Sequence, residues 1–173
     1  MTARYVLVAD PPWQHGDKLG KRGAAKHYAC MPLKEICALQ LPVPARDCVL
    51  FLWRVASMQE EALAVVRAWG FTPKSELVWC KQTKTGLPHF GMGRYTRHCH
   101  EVCLIAVSNL GCTPAVHDQR SVIHAPVGMH SEKPDEFYRV VQRMYPRAQR
   151  HEMFARKVRR GWRQLGLELG KVA

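Results

Sequence analysis

The sequence predicts an α/β domain built on a mostly parallel sheet flanked by helices, and three features support this fold class. Apolar runs at 5–8 and 48–53 are short and continuous, which is typical of buried strands. A helical pattern over 58–69 separates the second run from a third at 76–81, and this rhythm favours right-handed βαβ connections. Ligands of such sheets bind beyond the carboxyl ends of the strands.

The first strand runs directly into Asp10, Pro11, Pro12 and Trp13. Proline fixes φ, and a residue before proline is driven to extended geometry, so the chain leaves the sheet in a fixed direction. The resulting corner presents a carboxylate, backbone carbonyls and an indole plane. These groups suit a flat ligand that donates hydrogen bonds from an amino group, such as the exocyclic amine of a nucleobase. The alternative is a proline-rich turn with Trp13 packed in the core.

Length and composition predict one domain over residues 1–173, because 173 residues with 47% apolar content provide a sizeable core. The excess of 26 Lys and Arg over 14 Asp and Glu favours a polyanionic partner, although a merely basic soluble protein is the alternative. Seven scattered cysteines indicate reduced thiols. The chain enters a strand at once and has no apolar run of membrane-spanning length, so we expect a cytoplasmic protein with no membrane partner.

Local signals place the remaining elements. Short helices are expected to begin at Pro32 and at Pro134, since proline suits the first helical position. Ser57 and Glu60 form the pattern of a capping box before the helix at 58–69, and Gly70 is its stop signal. Further strands are predicted at 102–107, 121–123 and 151–156.

Two polar segments, 14–31 and 82–100, combine glycine with basic residues. In the second, Phe90 and Tyr95 are interleaved with basic residues, which suits a nucleic-acid lid because guanidinium groups meet phosphates while rings stack on bases. A solvated loop is an equal alternative for the first. The candidates for substrate contact come from these segments and from the neighbouring strand ends: Lys26, Trp53, Lys81, Arg94, Arg97 and His98.

Two further positions are candidates for ligand binding. Lys133 precedes the helix that begins at Pro134, and the N-terminus of a helix favours an anionic or polar ligand. Zinc ligands are an alternative interpretation of His98, Cys99, His100 and Cys103, but the second paired half of a usual zinc spacing is missing. Cys103 also alternates with apolar residues of a strand, so we expect it to pack in the core and expect no metal.

Five motifs occur in one order: A-D-P-P-W at the first strand end, F-L-W in the second strand, W-x-K at the third strand end, H-S-x-K-P-D-E-F at a helix start, and E-M-F-A-R with a later G-W. Over residues 5–169 this order resembles the adenine-N6 methyltransferase family that includes the catalytic subunit of the eukaryotic messenger-RNA methyltransferase and many bacterial and phage DNA enzymes. The resemblance implies a Rossmann-like fold that uses S-adenosylmethionine. It also implies a circular permutation in which the catalytic strand precedes the cofactor-binding strand.

The resemblance implies roles for the residues of the corner. Asp10 and the carbonyl of Pro11 would accept hydrogen bonds from the adenine amino group, with Pro12 completing the catalytic motif. Trp13 would stack on the flipped base, and Tyr28 matches a family tyrosine on the substrate side. The implied cofactor contacts are Ala9, Asp10, Lys133, Arg156 and Glu168.

This chain departs from the family pattern in two places. Leu167 stands where the family has an asparagine, so one cofactor contact is lost. The segment after Arg156 is shorter and more basic than in the eukaryotic relative. Both departures concern the cofactor and leave the corner at Asp10 intact.

The expected reaction is therefore methyl transfer from S-adenosylmethionine to N6 of adenine, with DNA favoured over RNA by analogy with compact relatives. Accepting both amino hydrogens would aim the nitrogen lone pair at the methyl group, and alignment should contribute most. The alternatives are an RNA adenine-N6 methyltransferase, a catalytically silent nucleic-acid-binding subunit, a cytosine-N4 enzyme and a protein-amide enzyme. A homodimer or a partner subunit is also open.

Overall fold

The computed structural model describes residues 3–14, 30–44, 46–93, 95–109, 112–128 and 132–166. Their helices and strands follow in the order β1 (Tyr5–Ala9), α1 (Leu33–Ala38), β2 (Cys48–Arg54), α2 (Gln59–Ala68), β3 (Thr72–Gln82), β4 (His100–Val107), β5 (Val122–Pro126), α3 (Asp135–Met144), β6 (Gln149–Met153) and β7 (Arg163–Leu165). Within these ranges, no helix combines the length and apolar character that crossing a membrane requires.

The strands form one sheet in the order β5-β3-β4-β2-β1-β6-β7. Strand β4 is antiparallel to both of its neighbours, whereas the other pairs are parallel. The prediction of a mostly parallel sheet is therefore confirmed, with one reversed strand. Strand β4 follows β3 without an intervening helix, and a direct return of this kind gives an antiparallel pair.

Helices cover both faces of the sheet and divide the core into two clusters. Along β1, Val6 and Val8 belong to the cluster under α3, while Leu7 and Ala9 belong to the cluster under α1 and α2. Strand β2 lies centrally, and all of its residues are buried. The predicted apolar stripe of α2 is buried as well and consists of Met58, Ala62, Val65, Val66 and Trp69.

The predicted capping box of α2 is wrong. The helix starts at Gln59 with Met58 as its N-cap, and no side chain caps it. The side chain of Met58 is buried in the core, so packing sets the start of the helix. Gly70 does end the helix region, with a φ of 83° that suits glycine. The predicted starts of two helices at Pro32 and Pro134 are confirmed to within one residue. These prolines are the N-caps of α1 and α3.

The last strand differs most from the prediction of 151–156. Strand β6 is Gln149–Met153, and Phe154 stops it with a φ of 62°, a left-handed conformation outside the strand region. Strand β7 was not predicted, since its three residues carry no strand pattern. Arg156 therefore lies three residues beyond the end of β6 instead of ending that strand.

The cysteines of the chain are all free thiols. Cys103 is completely buried in β4, which confirms its prediction as a packing residue. Burial raises the pKa of the Cys103 thiol well above its ordinary value. Such a thiol is inert as a nucleophile at neutral pH.

Candidate active site

The corner after β1 is a tight turn at the carboxyl edge of the sheet. The Trp13 N–H donates to the Pro11 carbonyl at 2.8 Å, and the Met31 N–H donates to the Pro12 carbonyl at 2.8 Å. Ala9 is fully buried in β1 and fixes the point at which the chain leaves the sheet. The Pro11 carbonyl, predicted to accept from a substrate amine, thus already accepts one hydrogen bond, and its second lone pair is the one left for a ligand.

Trp13 is packed in the core. Its side chain is 6% exposed, and its indole Nε1 donates a hydrogen bond to the Trp53 carbonyl at 3.0 Å. This arrangement is the alternative that the sequence left open for the corner. It gives no support to the predicted stacking of a base on Trp13, which stays a prediction.

The Asp10 carboxylate is held by a cation. Lys133 Nζ lies 2.7 Å from Asp10 Oδ2 and 3.1 Å from Glu101 Oε2, and Lys81 Nζ lies 2.6 Å from Glu101 Oε1. We call Asp10, Lys133, Glu101 and Lys81 the ion chain. The structure places the Lys133 ammonium on Asp10 and Glu101 and its side chain in the lining of a cleft beside Asp10. The predicted contact of Lys133 with the cofactor stays a prediction.

The ion chain is partly shielded from water, which strengthens its electrostatics. Burial alone would raise the pKa of Glu101, but the charges and hydrogen bonds of Lys133 and Lys81 lower it to about 2. Burial also opposes the charge on Lys133, yet Asp10 and Glu101 raise the pKa of its ammonium group. At neutral pH the chain therefore alternates negative and positive charges from Asp10 to Lys81.

Two indole rings lie beneath the cations of this chain. Lys133 Nζ is 5.2 Å from the centre of the Trp53 ring, and Lys81 Nζ is 5.1 Å from that of Trp79. Trp53 is 1% exposed, because the aromatic ring of Phe137 packs against it at 4.8 Å. Trp53 also lines a cleft beside Asp10, and its predicted contact with substrate stays a prediction. Lys81 is partly exposed but engaged by Glu101.

A cleft opens between Asp10 and the chain that follows β6, and it is lined by groups of both charges. Asp10, Glu132 and Glu152 supply carboxylates, while Arg156 and Lys157 supply cations. Phe154, whose left-handed backbone turns the chain out of the sheet, brings this segment to the cleft. Arg156, predicted to contact the cofactor from the end of the strand, thus reaches the cleft through a turn.

Sequence analysis missed Glu152 and its partners. Glu152 accepts hydrogen bonds from the Tyr138 hydroxyl at 2.5 Å and from Gln164 Nε2 at 2.7 Å. Burial raises the pKa of the Glu152 carboxyl in spite of both hydrogen bonds. The guanidinium of Arg159 lies 3.6 Å from the centre of the Tyr138 ring and bonds to Asp135. A lone acid inside a predicted buried strand was the available signal, since a buried charge needs partners.

The side chains that line the cleft suit the S-adenosylmethionine that the resemblance implies. Carboxylates such as Glu132 and Glu152 accept hydrogen bonds from ribose hydroxyls and from an ammonium group. Arg156 and Lys157 suit a carboxylate through charge-assisted hydrogen bonds. The chemistry of these side chains therefore matches a zwitterionic nucleoside.

The other predicted contacts are divided between an exposed loop and segments outside the described residues. Arg97 and His98 are exposed between β3 and β4, and the Arg97 guanidinium lies 5.1 Å from the centre of the Phe90 ring. The remaining predicted contacts lie outside the described residues: Lys26, Tyr28, Arg94 and Glu168.

Comparison with known proteins gives one family. The sequence model of the MT-A70 family matches residues 5–168. The type II methyltransferase M.MunI of Mycoplasma sp is 30% identical over 185 residues, which cover 95% of this chain and 77% of that protein. The N(6)-adenosine-methyltransferase MT-A70-like protein of Arabidopsis thaliana is 31% identical over 173 residues, 96% of this chain and 24% of that protein.

A human relative gives the same result. The N(6)-adenosine-methyltransferase catalytic subunit METTL3 of Homo sapiens is 30% identical over 174 residues, 96% of this chain and 28% of the human protein. This chain thus spans about a quarter of the plant and human relatives and most of M.MunI. The family match extends over almost the whole sheet and over the cleft at its carboxyl edge, and it shows that this chain belongs to the MT-A70 family of methyltransferases, which use S-adenosylmethionine.

Proposed function

We propose that this protein transfers a methyl group from S-adenosylmethionine to the N6 amine of adenine in DNA. The observation that carries the proposal is the carboxylate of Asp10, held on a rigid corner by Lys133 at 2.7 Å, in the lining of a cleft whose charged side chains suit the cofactor. Adenine N6 is supported by the relatives, which include N(6)-adenosine methyltransferases.

DNA is favoured over RNA by the extent of the matches to known relatives. The relative that is covered over most of its length is a type II methyltransferase, at 77%, whereas the N(6)-adenosine methyltransferases are covered over 24–28%. A net charge of +12 suits either nucleic acid. The preference for DNA therefore rests on likeness to M.MunI.

The chemistry that we assign to the corner is alignment of a poor nucleophile. The lone pair of an aryl amine is delocalised into the ring, so the amine must be held in line with the electrophilic carbon. Lys133 occupies Asp10 Oδ2, and we assign Oδ1 to one hydrogen of the substrate amine. The Pro11 carbonyl accepts the other hydrogen, which favours a pyramidal nitrogen.

Bound S-adenosylmethionine would supply the methyl group from its sulfonium, whose carbon–sulfur bond would break to release a neutral thioether as the leaving group. As the nitrogen–carbon bond forms, the amine becomes positively charged, and the carboxylate of Asp10 stabilises that charge. One N–H proton then passes from the nitrogen to Asp10 or to solvent. Lys133 keeps the carboxylate in one orientation throughout, because its ammonium is fixed from the other side by Glu101.

A catalytically silent nucleic-acid-binding subunit of the same fold is a second candidate. Two observations favour it: Asp10 is already paired with a cation, and Trp13 faces the core. In this case the cleft would bind cofactor without turnover. The two functions differ in whether methylated product appears.

The test is mass spectrometry of nucleosides after the protein and S-adenosylmethionine are incubated with DNA and with RNA in parallel. We expect N6-methyladenine in the DNA reaction. Methylation of RNA alone would transfer the substrate assignment to RNA, and N4-methylcytosine would overturn the choice of base. Calorimetric binding of S-adenosylmethionine without any methylated product would identify the silent subunit.

A further inference from the structure

We propose that the loop between β3 and β4, residues 83–99, inserts apolar side chains into a DNA duplex and fills the place of the extruded adenine. The inference rests on the proposed function and specifies its substrate as double-stranded DNA. Its inserting residues are Phe90 and Met92. We call residues 83–99 the β3–β4 loop.

The β3–β4 loop exposes large apolar side chains to an unusual degree. Phe90 is 74% exposed and Met92 is 83% exposed, with Leu87 at 64% and Tyr95 at 96% beside them. Over the rest of the described chain, the large apolar side chains that are exposed are single and scattered: Val122, Val158 and Leu165. A concentrated apolar patch on a soluble domain marks a contact surface.

The described part of the loop, residues 83–93 and 95–99, has a defined shape, so it can present Phe90 and Met92 in fixed positions. The His89 N–H donates to the Lys81 carbonyl at 3.0 Å, which continues the β3 pairing into the loop. Gly91 and Gly93 lie so close to the chain at 96–98 that an added Cβ would come within 2.0 Å of a carbonyl oxygen. Only glycine allows this close approach of two backbone segments.

The two ends of the loop lie beside Lys81 and Glu101, which belong to the ion chain that contacts Asp10. Lys81, at the end of β3, bonds to Glu101 at the start of β4, and the loop connects these two strands. Asp10 is reached from there through Lys133. The exposed side chains therefore extend from the same edge of the sheet at which the corner would bind adenine.

Charge selects the occupant of this patch. The loop carries Arg97 against Phe90 at 5.1 Å, and the whole chain has a net charge of +12. A second copy of the chain would bring another +12 to the patch, whereas DNA is oppositely charged. A guanidinium beside an apolar side chain also matches the two parts of a duplex, phosphates outside and stacked bases inside.

Extrusion of a base leaves a gap in the stack, and closing that gap is the role that apolar wedges serve in DNA-deforming proteins. Phenylalanine and methionine are among the residues that insert between base steps. Only a paired duplex has to be opened, because a single strand presents its bases without unpairing. Phe90 and Met92 should therefore accelerate methylation of duplex DNA and have little effect on methylation of single strands.

The test compares one plasmid in two forms, native and heat-denatured, with N6-methyladenine measured by mass spectrometry. The variant is Phe90→Ala combined with Met92→Ala, and Val122→Ala is the matched control for loss of an exposed apolar side chain. We expect a loss of roughly tenfold or more in rate on the native plasmid, and a change within about twofold on the denatured one. The control should match the unmodified protein on both, and Met92→Leu alone should keep most of the duplex activity.

Three outcomes would overturn the proposal that Phe90 and Met92 insert into the duplex. Equal losses on both plasmid forms would make the loop a general binding surface, and no loss on either would remove it from the reaction. Sedimentation showing that the double variant turns a dimer into a monomer would assign the patch to a second copy. Absence of methylated DNA with the unmodified protein would instead defeat the proposed function itself, which keeps the two failures distinct.

Discussion

Replacing Glu101 by glutamine tests the ion chain that we place behind Asp10. Glu101 joins Lys133 at 3.1 Å to Lys81 at 2.6 Å, and its side chain is 20% exposed. The Glu101→Gln substitution keeps the shape of the residue but removes the negative charge between the two cations. Lys133 would then keep one anionic partner, Asp10.

The expected magnitude follows from the pKa of the carboxyl. A fall from 4.5 to about 2 in the folded protein corresponds to about 3 kcal/mol of stability at neutral pH, at about 1.4 kcal/mol per pH unit. A carboxyl with a lowered folded pKa contributes this stability above its unfolded pKa of 4.5 and loses it as the pH falls toward 2. The difference in free energy of unfolding between the unmodified protein and Glu101→Gln should therefore fall, by pH 3, to less than about half of its value at pH 7.

The assay is urea denaturation of both proteins at pH 7 and pH 3, from which the free energy of unfolding is extrapolated. Glu136→Gln is the matched control, since Glu136 is 40% exposed and lies 3.2 Å from Arg139, which is 71% exposed, and an exposed pair contributes at most about 1 kcal/mol. A loss below about 1 kcal/mol for Glu101→Gln, or a loss that does not shrink at low pH, would refute the electrostatic account.

Three further substitutions have defined outcomes. Trp13→Phe removes the 3.0 Å bond to the Trp53 carbonyl and should lower the free energy of unfolding by about 1–2 kcal/mol; a loss under about 0.5 kcal/mol in chemical denaturation would contradict this. Arg97→Ala should lower the salt dependence of DNA affinity by about one in log–log slope, measured by fluorescence anisotropy; an unchanged slope would mean that Arg97 meets no phosphate. Glu152→Gln should change stability by less than about 1 kcal/mol, because the buried charge and one hydrogen bond are lost together. Burial raises the pKa of Glu152, so the free energy of unfolding of the unmodified protein should rise relative to that of Glu152→Gln as the pH falls. A fall in this difference at low pH would contradict the raised pKa.

The sequence predicted the elements that a local pattern encodes. Local sequence patterns predicted three features: the buried strand β2, the apolar stripe of α2 and the proline corner after β1. Burial and φ restriction act over neighbouring residues, so a local pattern can encode them. The reversed direction of β4 was not, because strand direction depends on which strand lies beside it in the sheet. The predicted end of β6 was wrong for a local reason, because the left-handed backbone of Phe154 ends the strand.

The site was predicted in part. Asp10 and Lys133 were both chosen from the sequence, but the 2.7 Å bond between them spans 123 positions of the chain and emerges only when α3 and β1 meet. Glu101 was overlooked because it becomes significant only when β4 lies between β3 and β2. The burial of Trp13 also depends on the covering by other elements, which no local pattern expresses.

The measurement that tests the central claim most directly is the rate of methyl transfer by Asp10→Ala, beside its affinity for DNA. We expect a loss of roughly a hundredfold or more in rate, as for other groups that stabilise developing charge, with DNA affinity within about twofold of the unmodified protein, because phosphate contacts dominate binding. Asp118→Ala, which removes an exposed acid elsewhere, should leave both unchanged. Undiminished turnover by Asp10→Ala would contradict the assignment of the proline corner as the site of the reaction.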